Sequence, residues 1–180
     1  LDRIRGVVPL EEIKGCERVI ECAPEDHDLK RELLQKIDAI VSDEAIIATN
    51  TSSLSITKLA SYLKRPAHFV GLHFFNPVPM MKLVEVVRGM RTSDSTVAAV
   101  RGLAENFGKV PIDVKDSPGF VVNRVLFPMI NEAAFALQQS VATPESIDEC
   151  MKLGCNHPLG PLALADLVGL QQAVVLRPRR

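Results

Sequence analysis

This chain lacks the features that would send it to a nucleic acid, a membrane or a metal ion. Its 21 lysines and arginines face 22 aspartates and glutamates, a net charge of -1, so no long-range field draws DNA, RNA or an anionic lipid surface. No apolar run approaches the roughly 20 residues that cross a bilayer, and no internal repeat or low-complexity tract interrupts the chain. The four cysteines, Cys16, Cys22, Cys150 and Cys155, lack metal-ligand spacing: the last two flank Gly154 more widely than a usual zinc pair, and His157 sits in a Pro-Leu-Gly-Pro loop. Reduced, partly buried thiols and a cytoplasmic location are the expectation. What remains is ample apolar material, 47% of 180 residues, enough to close a real core.

The order of patterns predicts an α/β fold. Strands are expected near 18–22, 45–49, 68–73, 82–87 and 110–114, alternating with helices over 28–41, 55–63 and 95–107, an alternation that argues for a mostly parallel sheet. From Pro118 onward the period is helical only. Thr143-Pro144-Glu145-Ser146 has the spacing of a helix cap, and Gly154 is expected to end that helix. The change of period puts a domain boundary at 117, giving segments 1–117 and 118–180.

Three polar clusters interrupt this apolar framework. His73 closes the run Phe69-Val70-Gly71-Leu72, Glu85 lies inside the next strand, and Asn76-Pro77-Val78-Pro79 joins them with fixed φ angles. A carboxylate beside an imidazole selects one tautomer and lets the ring move a proton; a core histidine with an unrelated glutamate is the competing reading. Asn50-Thr51-Ser52-Ser53-Leu54-Ser55 joins a strand to a helix. One serine suffices for a cap, so Asn50 and Ser52 become candidates for a ligand beyond the strand ends. Lys115-Asp116-Ser117-Pro118-Gly119 reads as a turn that opens a mostly buried helix, with Asn123 in its first turn. An amide there needs partners, which neighbouring backbone could supply.

Together these clusters resemble the L-3-hydroxyacyl-CoA dehydrogenases, including the bacterial 3-hydroxybutyryl-CoA dehydrogenases. The resemblance begins at Gly15-Cys16-Glu17-Arg18-Val19-Ile20-Glu21-Cys22-Ala23-Pro24-Glu25 and runs through residues 50–54, 71–85 and 116–124. It ends in Met151-Lys152-Leu153-Gly154, His157-Pro158-Leu159-Gly160-Pro161 and Asp166-Leu167-Val168-Gly169-Leu170. It implies part of a Rossmann-type NAD-binding domain followed by the start of an all-α domain used for dimerisation and substrate binding. It also implies NAD-dependent oxidation of an L-3-hydroxyacyl-CoA to the 3-ketoacyl-CoA, in fatty-acid β-oxidation or butanoate-type metabolism.

In that resemblance His73 is the base that takes the 3-hydroxyl proton and Glu85 orients it. Ser52 and Asn123 bind the substrate oxygens, and Glu25, Lys30, Ser52 and Asn76 surround the cofactor. The residues themselves leave Glu25 and Lys30 open to a plainer reading, as solvated charges in the first turn of a helix. A homodimer is implied for the full-length parent. The Gly-x-Gly-x-x-Gly turn that binds the cofactor pyrophosphate is absent from this sequence, and Gln171 to Arg180 departs from the family pattern. The expectation is therefore a chain truncated at both ends, with Arg177-Pro178-Arg179-Arg180 a shifted frame or artificial terminus rather than a basic tail. Two other readings stay open: a related NAD-dependent hydroxy-acid dehydrogenase, and a non-catalytic remnant unable to hold NAD, which is the expectation for the isolated chain while the dehydrogenase reading is kept for its gene family.

Overall fold

A computed structural model describes residues 4–169; the divergent ending at 171–180 and the start at Leu1 lie outside the described residues. The chain divides into two compact units, Leu1–Phe120 and Val121–Arg180.

The first unit is a five-stranded sheet in the order β1-β2-β3-β4-β5, built from β1 (Arg18–Glu21), β2 (Ile46–Thr49), β3 (Phe69–Phe74), β4 (Leu83–Arg88) and β5 (Val110–Lys115). Three of its four pairings are parallel; β3 and β4 alone run antiparallel. The helices are α1 (His27–Ile40), α2 (Ile56–Ala60) and α3 (Asp94–Asn106). Alternation along the strands divides the core between the two sheet faces. Leu34, Ile37, Ile47, Ile56, Leu59, Phe69 and Val87 pack on the face of α1 and α2, whereas Ala48, Val70, Leu72, Val84, Val86, Val97 and Val100 pack on the face of α3. Side chains two apart on a strand share a face, so Phe69, Gly71 and His73 belong to the α1–α2 side, as do Glu85 and Val87. Gly71 is required by packing: a Cβ there would lie 2.7 Å from Ile56 Cδ1 and 2.8 Å from Val87 Cβ.

The second unit packs α4 (Val122–Gln138), α5 (Pro144–Cys155) and α6 (Pro161–Val168). Thr143 caps α5 by accepting the Ser146 amide. Asp148, on α5, accepts the Leu162 and Ala163 amides at 2.8 and 2.9 Å and so caps α6. Gly160 makes room for it, because a Cβ would stand 2.2 Å from the Asp148 carboxyl carbon.

Three sequence expectations are corrected. Asp-Ser-Pro-Gly does not open α4, which begins at Val122 with no side-chain cap. Asp116 instead reaches back 60 residues to α2, accepting Ser55 Oγ at 2.8 Å and the Ile56 and Thr57 amides at 3.2 and 2.8 Å. Gly154 lies inside α5; the helix ends at Asn156, whose φ of 55° is left-handed, a conformation that asparagine tolerates. Finally, α4 is not mostly buried. Only Ile130 and Ala133 are fully covered, and Val122, Leu126, Phe127 and Met129 are half-buried.

Candidate active site

Strand register builds the centre of the site. His73 stands directly opposite Glu85 in the β3–β4 pairing, and the two side chains meet with Nδ1 2.8 Å from Oε2. Both are enclosed, at 4% and 1% exposure. A carboxylate only accepts hydrogen bonds, so Nδ1–H donates to Glu85 and Nε2 is the ring atom that keeps a lone pair. Two aromatic rings confine the imidazole: Phe75, with centroids 4.5 Å apart, and Phe120 at 5.5 Å, edge-on. Phe120 has φ 51° and follows Gly119 at φ 75°. For a bulky residue this backbone is unfavourable, and it places the Phe120 ring among the core side chains of this face.

The neighbouring parallel strands end at the same edge. Glu21 pairs with Thr49 and Thr49 with Gly71 in the sheet register, two residues short of His73. Glu21 is 3% exposed. Its carboxylate takes the Thr49 hydroxyl at 2.6 Å, the Lys30 ammonium at 2.8 and 3.1 Å, and the Ala23 amide. Lys30 has no exposed surface and spends its remaining hydrogen bond on the Ala23 carbonyl, 2.9 Å away. The solvated reading of Lys30 is thereby overturned. Burying a lone ammonium is costly, and only this paired, fully bonded arrangement offsets the loss of water.

Glu25 is exposed but not idle. Its Oε1 accepts the Thr51 hydroxyl at 2.6 Å and the Ser52 amide, the Ser53 amide and the Ser53 hydroxyl at 2.9 Å each. Asn50 accepts the Phe74 amide through Oδ1 at 3.1 Å, tying the loop to the end of β3. Much of the polar content of Asn50–Ser55 is thus spent on the loop itself. Asn76 is exposed just beyond β3, before a cis bond to Pro77. Asn123 sits in the first turn of α4, in the second unit.

The cysteines are all free and exposed as residues, which corrects the expectation of partly buried thiols for Cys16, Cys150 and Cys155, whereas the Cys22 sulfur is partly covered. Cys22 lies nearest the loops of the site. Burial of its sulfur pushes the thiol pKa up; a hydrogen bond with Asn50 opposes this, Glu21 adds to it, and Lys30 opposes it. Among the described residues no cluster of three or more His, Cys, Asp or Glu could hold a metal, and no helix is long and apolar enough to cross a membrane.

Sequence reasoning missed Glu21, Thr49, Asp116 and Phe120. One signal was available for the first two: Lys30 shares a helical face with the buried Leu34 and Ile37, and a lysine on such a face demands a buried anion.

The family model "3-hydroxyacyl-CoA dehydrogenase, NAD binding domain" matches residues 1–117, and "3-hydroxyacyl-CoA dehydrogenase, C-terminal domain" matches residues 119–177. The chain belongs to the 3-hydroxyacyl-CoA dehydrogenase family. It is 50% identical over 176 residues to a 3-hydroxybutyryl-CoA dehydrogenase of Clostridioides difficile, covering 98% of this chain and 63% of that protein. It is 52% identical over 170 residues to a probable 3-hydroxybutyryl-CoA dehydrogenase of Bacillus subtilis, with coverage of 94% and 59%. The solved structure of (S)-3-hydroxybutyryl-CoA dehydrogenase from Ralstonia eutropha superposes with a TM-score of 0.96 at 56% identity, over 97% of this chain and 62% of that one. The chain therefore spans about three-fifths of the length of these relatives.

Proposed function

We propose that this chain supplies the proton-transfer half of an NAD-dependent L-3-hydroxyacyl-CoA dehydrogenase, acting on a short acyl-CoA such as 3-hydroxybutyryl-CoA. The observation that carries this reading is the enclosed His73–Glu85 pair, 2.8 Å apart at the end of the parallel strands. His73 Nε2 takes the proton of the 3-hydroxyl as carbon 3 is oxidised. In the reverse direction the imidazolium returns it to the forming alkoxide. Glu85 fixes the tautomer through Nδ1 and stabilises the charge that the ring acquires. The Ser52 hydroxyl holds a substrate oxygen, and the family resemblance gives the Asn123 amide the same kind of role.

The donor set at the strand ends suits the nicotinamide half of NAD: Glu25, Ser52 and Asn76 offer carboxylate, hydroxyl and amide groups for ribose and carboxamide, and Lys30 lies behind them as support. Held there by these residues, NAD would supply the hydride acceptor for the oxidation at carbon 3. On the same reading, and as the family resemblance implies, the full gene product is a homodimer that acts in the cytoplasm.

The test is reduction of acetoacetyl-CoA by NADH, assayed on the full gene product. His73→Gln lowers kcat by about 10² to 10⁴ while NADH affinity, measured by calorimetry, stays within about threefold of the unsubstituted protein. Equal loss of both would indicate a folding defect. Turnover of a free hydroxy acid in preference to the thioester would redirect the assignment to a related dehydrogenase.

A further inference from the structure

We propose that Glu25 is a positioning residue: its carboxylate fixes the conformation of the Thr51–Ser53 segment and so sets where Ser52 stands. The functional half of this proposal rests on the dehydrogenase reading above; the structural half does not.

A single oxygen, Oε1, gathers four donors from three successive residues, the Thr51 hydroxyl, the Ser52 amide and both the amide and hydroxyl of Ser53. Consecutive amides turned toward one anion make a concave nest that orders a loop around a charge. Helix capping does not account for it, because the first amides of α2 are already taken by Asp116 and Ser55. Thr51 is 1% exposed, and its hydroxyl also accepts the Leu54 amide at 3.0 Å. With Glu25 removed, that hydroxyl proton would lack an acceptor in a place that water scarcely reaches.

Glu25 is itself firmly placed. On one side Glu21 bonds the Ala23 amide and Lys30; on the other Asp26 caps α1 by accepting the Leu29 amide at 2.8 Å. Ser52, in contrast, sits in a short strand-to-helix link with no ladder of its own, and its backbone is bonded to Glu25. A displaced Ser52 would misalign any oxygen that it binds, and small misplacements of such groups cost rate steeply.

Two measurements test this. In the full chain, Glu25→Ala should speed amide exchange at Ser52 and Ser53 by at least about tenfold, the scale of losing a hydrogen bond to a charged acceptor, while the Phe74 amide, bonded to Asn50, keeps its rate. Glu25→Gln, whose carbonyl oxygen still accepts, should restore most of the protection. Unchanged exchange in Glu25→Ala, or an equal rise that includes Phe74, would overturn the clamp.

In the full gene product at saturating NADH, kcat/KM for acetoacetyl-CoA should fall in Glu25→Ala and in Ser52→Ala, yet fall little further when the two are combined, to within about threefold of the worse single variant. Losses that multiply in full would overturn the positioning role and leave the dehydrogenase reading standing. Absence of turnover in the unsubstituted protein would sink that reading instead, and the exchange comparison would still decide the clamp.

Discussion

The β3–β4 hairpin and the β1–α1 junction each bury an acid–base pair at one edge of the same sheet, by opposite means. In the hairpin, strand register alone sets His73 against Glu85. At the junction, no single register suffices: Glu21 on β1, Lys30 on α1 and Thr49 on β2 converge from three elements. The hairpin pair meets through Nδ1 and Oε2, so the second ring nitrogen is not used in holding it. The junction pair uses every donor of the ammonium group, on both Glu21 oxygens and the Ala23 carbonyl. On the proposed reading the first pair exchanges a proton, whereas the second only holds its place.

The largest expected effect tests that contrast directly. Glu21→Gln removes the anion beside an enclosed ammonium, and breaking such a pair costs about 3 to 5 kcal/mol, read as a drop in unfolding free energy in urea. Glu85→Gln still offers Nδ1 an amide oxygen and should cost only about 1 kcal/mol of stability, with its damage falling on turnover. Equal destabilisation by the two variants would erase the distinction.

A middle-sized effect probes what aligns the hairpin with the helix above it. Gly71→Ala drives a methyl group into Ile56 and Val87 and should cost about 1 to 3 kcal/mol; trimming Ile56 to Ala in the same protein should recover part of the loss. Recovery by Ile56→Ala with no change in the His73 ring environment by NMR would mean that the helix yields and the strands do not.

The smallest effect reads the junction from its rim. Because burial holds the Cys22 thiol above its ordinary pKa, less thiolate is present at neutral pH. Alkylation at Cys22 should therefore be slower than at Cys16, with the two rates converging only as pH rises through the raised value. Mass spectrometry of the labelled peptides measures this, and faster labelling of Cys22 would show that the Lys30 charge outweighs burial.

The same contrast explains what could be read from the amino acids alone. His73 and Glu85 were legible because a strand period of two fixes which face each occupies, and a turn rich in proline joins the two strands. The strands and helices of the first unit were legible for the same local reason. Asp116 was misread as the start of α4, since nothing local distinguishes an aspartate that caps the next helix from one that caps a helix 60 residues earlier. Glu25 and Lys30 were open to a solvated reading because a charge in a first helical turn is ordinary, and their partners Thr51 and Glu21 are set by the tertiary fold. Gly154 gave way to Asn156 as the end of α5 because either residue can adopt the left-handed conformation.

The reversal of direction between β3 and β4 carries one more implication. With side chains alternating across a pleat, a slip of one position in that single antiparallel seam would turn Glu85 toward α3 and aim Val84 or Val86 at the imidazole. Lengthening the connecting turn leaves the seam intact, whereas an inserted residue within either strand disarms the ring without touching it. Natural variation in this protein should therefore tolerate changes of length between Asn76 and Lys82 and forbid them on both sides.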